Sequence, residues 1–145
     1  MSMEKIYDPG RYETDIYKMW EDSGAFKPGG DPKKKPFSII MPPPNANGHI
    51  HVGTAMFTIE DSMTRYARMQ GRPTLWLPGT DHAGIETQVV FERELAKQGK
   101  DRFDLGPERF YKEVMAYTRQ NQSIIIDELR SLGFSADWSR LKFTL

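Results

Sequence analysis

Pro36-Phe37-Ser38-Ile39-Ile40-Met41-Pro42-Pro43-Pro44-Asn45-Ala46-Asn47-Gly48-His49-Ile50-His51-Val52-Gly53-Thr54-Ala55 is the stretch that decides the fold. Phe37 to Met41 is a short apolar run with β-branched residues, bounded by proline on both sides, and predicts a fully buried strand. Three prolines then fix φ and end the pairing. Asn45-Ala46-Asn47-Gly48 is turn chemistry. Beyond the turn, Val52, Met56, Ile59, Met63 and Tyr66 recur every three or four residues. That spacing puts them on one face of a helix running from near His51 to Met69 or Gln70. Arg65 and Arg68 are expected on its outer side.

A strand-to-helix turn with glycine gathers free N–H groups and the positive end of a helix dipole at one spot, which attracts phosphate. His49, His51 and Thr54 add side-chain donors there. The bland alternative is a pair of polar surface histidines.

Working outward, Thr74 to Leu77 is a second short apolar strand after the stop at Gly71-Arg72-Pro73. Strand, helix and strand in this length predict a βαβ unit with parallel strands and a right-handed crossover. Ligands of such sheets bind beyond the carboxyl ends of the strands. Both unusual loops, Pro42–Gly48 and Pro78–Gly84, fall there. The second places Asp81 and His82 side by side between glycines. Asp81 can pair with an ammonium group, and His82 can donate to phosphate or stack on a ring. The alternative is a glycine-rich turn with Asp81 as a local cap.

Ahead of this unit, Asp8-Pro9 reads as N-cap and first position of a helix. Tyr12, Ile16, Met19 and Trp20 form its apolar stripe, and Gly24 ends it. Lys27 to Pro36, with Lys33-Lys34-Lys35, reads as a solvated connector. Behind the unit, a helix from Ile85 to Gln98 is expected to turn Ile85, Val89 and Leu95 inward. A loop follows over residues 101–106. A long helix opens at Pro107 and runs to Leu132, with Phe110, Val114, Tyr117, Asn121, Ile124, Ile125 and Leu129 near one stripe. Residues 134–140 read as irregular. Residues 141–145 alternate like a strand.

The chain has 145 residues, with Lys+Arg and Asp+Glu at 20 each and no cysteine. The balanced charge argues against a surface that grips nucleic acid as a whole. Lack of cysteine removes disulfides and thiolate metal sites. Nothing in Met1 to Arg11 reads as a signal peptide, and no stretch has the length of a membrane span. A cytoplasmic protein without membrane contact is the expectation.

These motifs together resemble the N-terminal part of the valyl-tRNA synthetases, which are class I aminoacyl-tRNA synthetases. Pro42-Pro43-Pro44-Asn45 followed by Gly48-His49-Ile50-His51-Val52-Gly53-Thr54 resembles the loop leading into the family's HIGH signature. Residues 78–88, Pro-Gly-Thr-Asp-His-Ala-Gly-Ile-Glu-Thr-Gln, resemble the valine branch, where isoleucine and leucine relatives usually carry Gly-Trp-Asp. Tyr7-Asp8-Pro9, Trp20-Glu21 and Asp137-Trp138-Ser139-Arg140 fit as well. The resemblance implies an α/β fold: the first half of a Rossmann-like nucleotide-binding domain, with a short parallel sheet flanked by helices. Residues 1–35 would be an N-terminal helix and connector, and residues 36–145 the first catalytic half. The editing, second catalytic and anticodon-binding parts would be absent.

The implied reaction is valine–tRNA ligation. Valine's carboxylate attacks the α-phosphate of ATP, releasing pyrophosphate, and the valyl group then passes from the adenylate to tRNA(Val). Mg²⁺ accompanies the ATP. No protein nucleophile is needed, so positioning and charge stabilisation carry the catalysis. By resemblance, His51 and Thr54 are catalytic. Gly48, His51, Gly53, Thr54, Gly79 and His82 face ATP, and Gly53 lets the adenine approach. Pro42, Pro43, Asn45 and Asp81 hold the amino acid, with Asp81 on the ammonium.

Two departures stand out. Thr54 occupies the signature's last position in place of histidine: its hydroxyl can donate one hydrogen bond but cannot become cationic, and His49 is the residue placed to compensate. The second signature, KMSKS, is absent. Three readings follow: a catalytic half of a valine–tRNA ligase; a non-catalytic paralogue that binds ATP, amino acid or protein; and a module that pairs through an exposed sheet edge with the missing half or with itself.

Overall fold

A computed structural model describes residues 6–145. Strand β1 (Phe37–Ile40) pairs parallel with β2 (Thr74–Leu77), Phe37 opposite Thr74 and Ile40 opposite Leu77. Between them runs the crossover, a 3₁₀ turn at Val52–Ala55 leading into α2 (Met56–Met69). Helix α1 (Pro9–Asp22) precedes this unit, with the Asp8 carboxylate accepting from the Gly10 N–H as its cap. Pro78 interrupts β2, and the chain resumes as β3 (Gly79–Thr80), parallel to β4 (Lys142–Phe143). The segment from β2 to β3 therefore lies between two neighbours: β1 with its loop on one side, residues 137–144 on the other. The expected parallel βαβ unit is present.

Helices α3 (Gly84–Lys97), α4 (Arg102–Leu105) and α5 (Pro107–Ser131) complete the chain. Residues 101–106, read as loop, hold the single turn α4. Its N-terminal end is closed by a reciprocal cap between Asp101 and Asp104, a short signal that no apolar periodicity advertises.

The core gathers Met41, Phe57, Trp76, Ile125, Leu129, Phe134, Ala136 and Trp138. Tyr17 enters from α1, donating to the Phe134 carbonyl and accepting from the Trp138 indole N–H. Burial pushes its hydroxyl up to about 12. Tyr17 is the residue of α1 that turns inward; Ile16, Met19 and Trp20 of the expected stripe are exposed.

The same correction applies more strongly to α2. Val52, Met56, Ile59, Met63 and Tyr66 were expected to share one face, with Arg65 and Arg68 on the outer side, and all five are exposed. The buried face is Phe57, Asp61, Thr64 and Ala67, one turn-step around the helix. Burying Asp61 is tolerable because it is fully paired. It accepts from Ser135 N (3.0 Å), Ser135 Oγ (2.5 Å) and Arg65 Nε (2.7 Å). Arg65 also donates to the Gly133 carbonyl, and Arg68 to Ser135 and the Phe26 carbonyl. Both arginines thus turn inward rather than outward, onto carbonyls of the segment that follows α5 and of Phe26. In α3, Leu95 is buried as expected, but Ile85 and Val89 are exposed and Thr87 and Phe91 take their place. Strand β1 alternates instead of being fully buried: Ile40 is exposed while Met41 is fully buried.

Candidate active site

The two strand-end loops meet. Asp81 N donates to the Pro44 carbonyl (2.8 Å) and Ala46 N to the Asp81 carbonyl (2.7 Å), a parallel bridge between Asn45 and Asp81. This extends the β1–β2 pairing past the prolines, which cannot donate to the ladder themselves. Gly79 fits beneath Pro43, where a Cβ would come within 3.6 Å of Pro43 Cβ and 3.5 Å of the Lys142 carbonyl. Pro43, Asn45, Gly79, Asp81 and His82 therefore form one cluster. Pro42 and Pro43 are exposed beside it. The Asn45 side-chain amide donates to Glu86 at the start of α3 (2.8 Å).

The Asp81 carboxylate is built into this cluster through one oxygen. Oδ1 accepts from Ala83 N (3.1 Å) and from the Thr144 hydroxyl (2.7 Å). Those two bonds, the Ala83 amide first, hold its pKa below the ordinary carboxylate value. Among the described residues Oδ2 makes no hydrogen bond, and the side chain is 36% exposed. An ionised, half-open carboxylate of this kind is suited to an ammonium group. Two residues on, Ala83 takes a left-handed conformation (φ 53°) as α3 begins. His82 lies edge-on to Phe143, whose ring is in turn covered by the Arg119 guanidinium.

At the head of α2, His51 has an extended backbone and its Nδ1 accepts from Gly53 N (3.0 Å). A neutral imidazole that accepts at Nδ1 carries its proton at Nε2, so the exposed ring offers a donor. Gly53 makes this possible: a Cβ there would stand 2.6 Å from His51 Cε1. Around Gly48 there is open space instead. Thr54 departs from expectation. It is buried, and its hydroxyl donates to the His51 carbonyl three residues back. The proton expected to face phosphate closes the turn instead. His49 is likewise engaged, paired through Nδ1 with Glu128 of α5. Glu128 also accepts from Ile50 N (3.0 Å), and that amide, ahead of His49, lowers its pKa.

A cavity of about 650 Å³ adjoins this turn, lined by His51, Thr54, Ile50, Trp20, Arg65 and Phe134 among others. Asp81 does not line it. Sequence reasoning missed the residues that hold the loops from a distance. Gln122 donates to Thr80 Oγ1, Tyr117 to the Asn47 carbonyl and Thr144 to Asp81, and Glu128 accepts from Ile50 N. Three of these lie on α5, where the only available hint was polar residues near an apolar stripe.

Residues 15–145 match the family described as tRNA synthetases class I (I, L, M and V). The chain belongs to the class I tRNA synthetases. Among curated relatives, a valine–tRNA ligase of Caulobacter vibrioides is 50% identical over 145 residues, covering 99% of this chain and 16% of the relative. The chloroplastic/mitochondrial 2 valine–tRNA ligase of Arabidopsis thaliana is 54% identical over 134 residues, covering 92% of this chain and 14% of the relative. The solved LeuRS of Agrobacterium radiobacter K84, in a ternary complex with tRNA and LeuAMS, matches with a TM-score of 0.71. It is 19% identical, over 96% of this chain and 16% of that one, and so supports the fold alone. This synthetase chain thus spans 14–16% of the length of the two curated relatives. Among its described residues no helix is long and apolar enough to cross a membrane.

Proposed function

We propose that this chain is the first half of the catalytic domain of a valine–tRNA ligase, residues 36–145, preceded by a helix and connector at 1–35. The observation that carries the reading is the Asn45–Asp81 bridge. It brings the proline loop and the acidic loop together at the strand ends, where a parallel sheet binds its ligands. The half-identical valine–tRNA ligases support the substrate.

In this reading Asp81 pairs with the valine ammonium, and Pro42, Pro43 and Asn45 line the amino-acid pocket. His51 donates from Nε2 to the ATP phosphates. Gly48, Gly53, Gly79 and His82 complete the nucleotide side. Thr54 contributes by stiffening the turn that presents His51. ATP brings Mg²⁺ with it, and tRNA(Val) accepts the valyl group. A small apolar pocket separates neighbouring aliphatic amino acids by only about 1–3 kcal/mol, so the selectivity of the whole enzyme needs more than this half.

The remaining catalytic half is the natural partner for two open surfaces. One is the outer face of α2, with Val52, Ile59, Tyr66 and Met69 exposed; the other is the solvent edge of β1 at Ile40. Parallel sheets are normally covered on both faces. Cytoplasmic residence belongs to the same proposal.

The test is valine-dependent exchange of labelled pyrophosphate into ATP, with the chain alone and with the rest of the synthetase supplied. Asp81→Ala is expected to reduce exchange about a hundredfold or more, the scale of losing one charge-positioning group in a site. Exchange that survives Asp81→Ala unchanged overturns the reading. So does a folded assembly that exchanges better with another amino acid than with valine.

A further inference from the structure

Thr144 Oγ1 stands within hydrogen-bonding distance of three polar atoms of the second loop. These are Asp81 Oδ1 at 2.7 Å, His82 N at 3.0 Å and His82 Nδ1 at 2.5 Å. The same residue's backbone N–H donates to the Thr80 carbonyl (3.3 Å), continuing the β3–β4 ladder. A hydroxyl has one proton to give and two lone pairs to receive with. The protons around Thr144 can therefore be counted.

His82 N–H can only donate. The Asp81 carboxylate can only accept, and it already accepts from Ala83 N at the same oxygen. The Thr144 proton must then go to Asp81. One lone pair of Oγ1 takes the His82 backbone N–H. The other is left facing Nδ1, and two lone pairs facing each other at 2.5 Å would repel. Nδ1 must carry a proton. A neutral His82 therefore has its proton at Nδ1 and a bare lone pair at Nε2, the opposite of His51.

We propose that Thr144 is a positioning residue for the substrate-binding loop: its hydroxyl orients the Asp81 carboxylate and holds His82 as the Nδ1–H tautomer. The consequence for chemistry is specific. Asp81 Oδ2 and His82 Nε2 are then both acceptors. A pair of side chains with only acceptors to offer suits a donor-rich group such as a primary ammonium or a ribose hydroxyl. It does not suit a phosphate oxygen, so a neutral His82 leaves the expected role of phosphate donor to His51. The part of this inference that concerns valine rests on the function proposed above; the proton arrangement does not.

The experiment uses the ¹⁵N-labelled 145-residue chain and long-range ¹H–¹⁵N correlation of its histidine rings. The three histidines are assigned by single substitutions. Wild-type His82 is expected to show a protonated Nδ1 and a bare Nε2. Thr144→Ser keeps the hydroxyl and should keep that pattern. Thr144→Val removes it and should move the ring toward the Nε2–H form common in water, while the amide spectrum outside residues 80–84 and 142–145 stays in place. A wild-type His82 with a bare Nδ1, or a Thr144→Val ring that does not change, overturns the proposal. Valine titration of the same three proteins adds the functional arm. Thr144→Val should weaken valine binding by about tenfold, the scale of one hydrogen bond to a charged partner, and Thr144→Ser by much less. If the ring signatures behave as stated and valine binds none of the proteins, the valine reading fails and the positioning role stands.

Discussion

The two loops of the candidate site are held in different ways. The tip of the first closes on itself. His51 caps Gly53, and Thr54 returns to the His51 carbonyl, all within four residues. The tip of the second depends on chain far away. Asp81 and His82 are tied to Thr144, some sixty positions on, and Thr80 is tied to Gln122 of α5. A short closed turn can place a donor with no help from the core. The Asp81 carboxylate takes one bond from its own turn, at Ala83 N, and a second that the turn cannot supply, from Thr144. Damage to the core should therefore reach the second loop and spare the tip of the first.

The hardest test of that contrast is Asp61→Ala. Asp61 is buried and pairs with Ser135 and Arg65, fixing the segment that leads into β4. Removing it leaves Arg65 without its carboxylate and the Ser135 amide and hydroxyl without their acceptor, which should cost about 3–5 kcal/mol of stability. The contrast predicts more than a lower melting temperature. In the population that stays folded, the His82 ring should lose its Nδ1–H signature while the His51 ring keeps its own. Equal loss at both rings would show that the first turn is not self-sufficient.

Asp61 also shows what could and could not be read from the residues. The period of α2 was legible, because Val52, Met56, Ile59, Met63 and Tyr66 do share a face. The side it turns to the core was not. Periodicity fixes which residues line up and leaves open which line is buried, and here a paired carboxylate and a threonine went inside. The apolar line stayed outside, where a protein continuing beyond these strands would cover it. The βαβ unit and both loops were legible because proline, glycine and a buried run punctuate the chain there. The supports were not. Glu128, Gln122 and Thr144 are ordinary polar residues until the fold brings them beside Ile50, Thr80 and Asp81. A hydrogen bond across such separations leaves no pattern in one sequence.

Glu128→Ala tests the one place where the first loop does lean on the core. It removes the acceptor for Ile50 N and the partner of His49, at the base of the loop. Leaving a partly buried amide unpaired should cost about 1–2 kcal/mol, read as a lower midpoint in urea. The pKa of Glu128 is lowered in the folded state. Its contribution is therefore present above the ordinary glutamate value and is lost as pH falls through the lower folded one. Wild type and variant should converge in stability at acid pH and differ at neutral pH. If the gap persists in acid, the charge on Glu128 is not what supports the loop.

Gly53→Ala has the smallest expected effect on stability and the sharpest bearing on the comparison. Two small terms oppose each other. Alanine restricts the unfolded chain and favours a helical first turn, worth about 0.4–1 kcal/mol. Against this, the new Cβ would sit 2.6 Å from His51 Cε1, so the ring must swing away and the cap on the Gly53 N–H is lost. Losing a cap costs about the same amount in the other direction. The backbone itself has no objection, since Gly53 is not among the glycines with positive φ. The melting temperature should hardly move, yet His51 should lose its fixed Nε2–H tautomer and with it any ordered donor toward phosphate. A turn that is self-contained has no outside support to restore the ring. Should His51 keep its signature in Gly53→Ala, something beyond those four residues is holding it, and the difference drawn between the two loops fails.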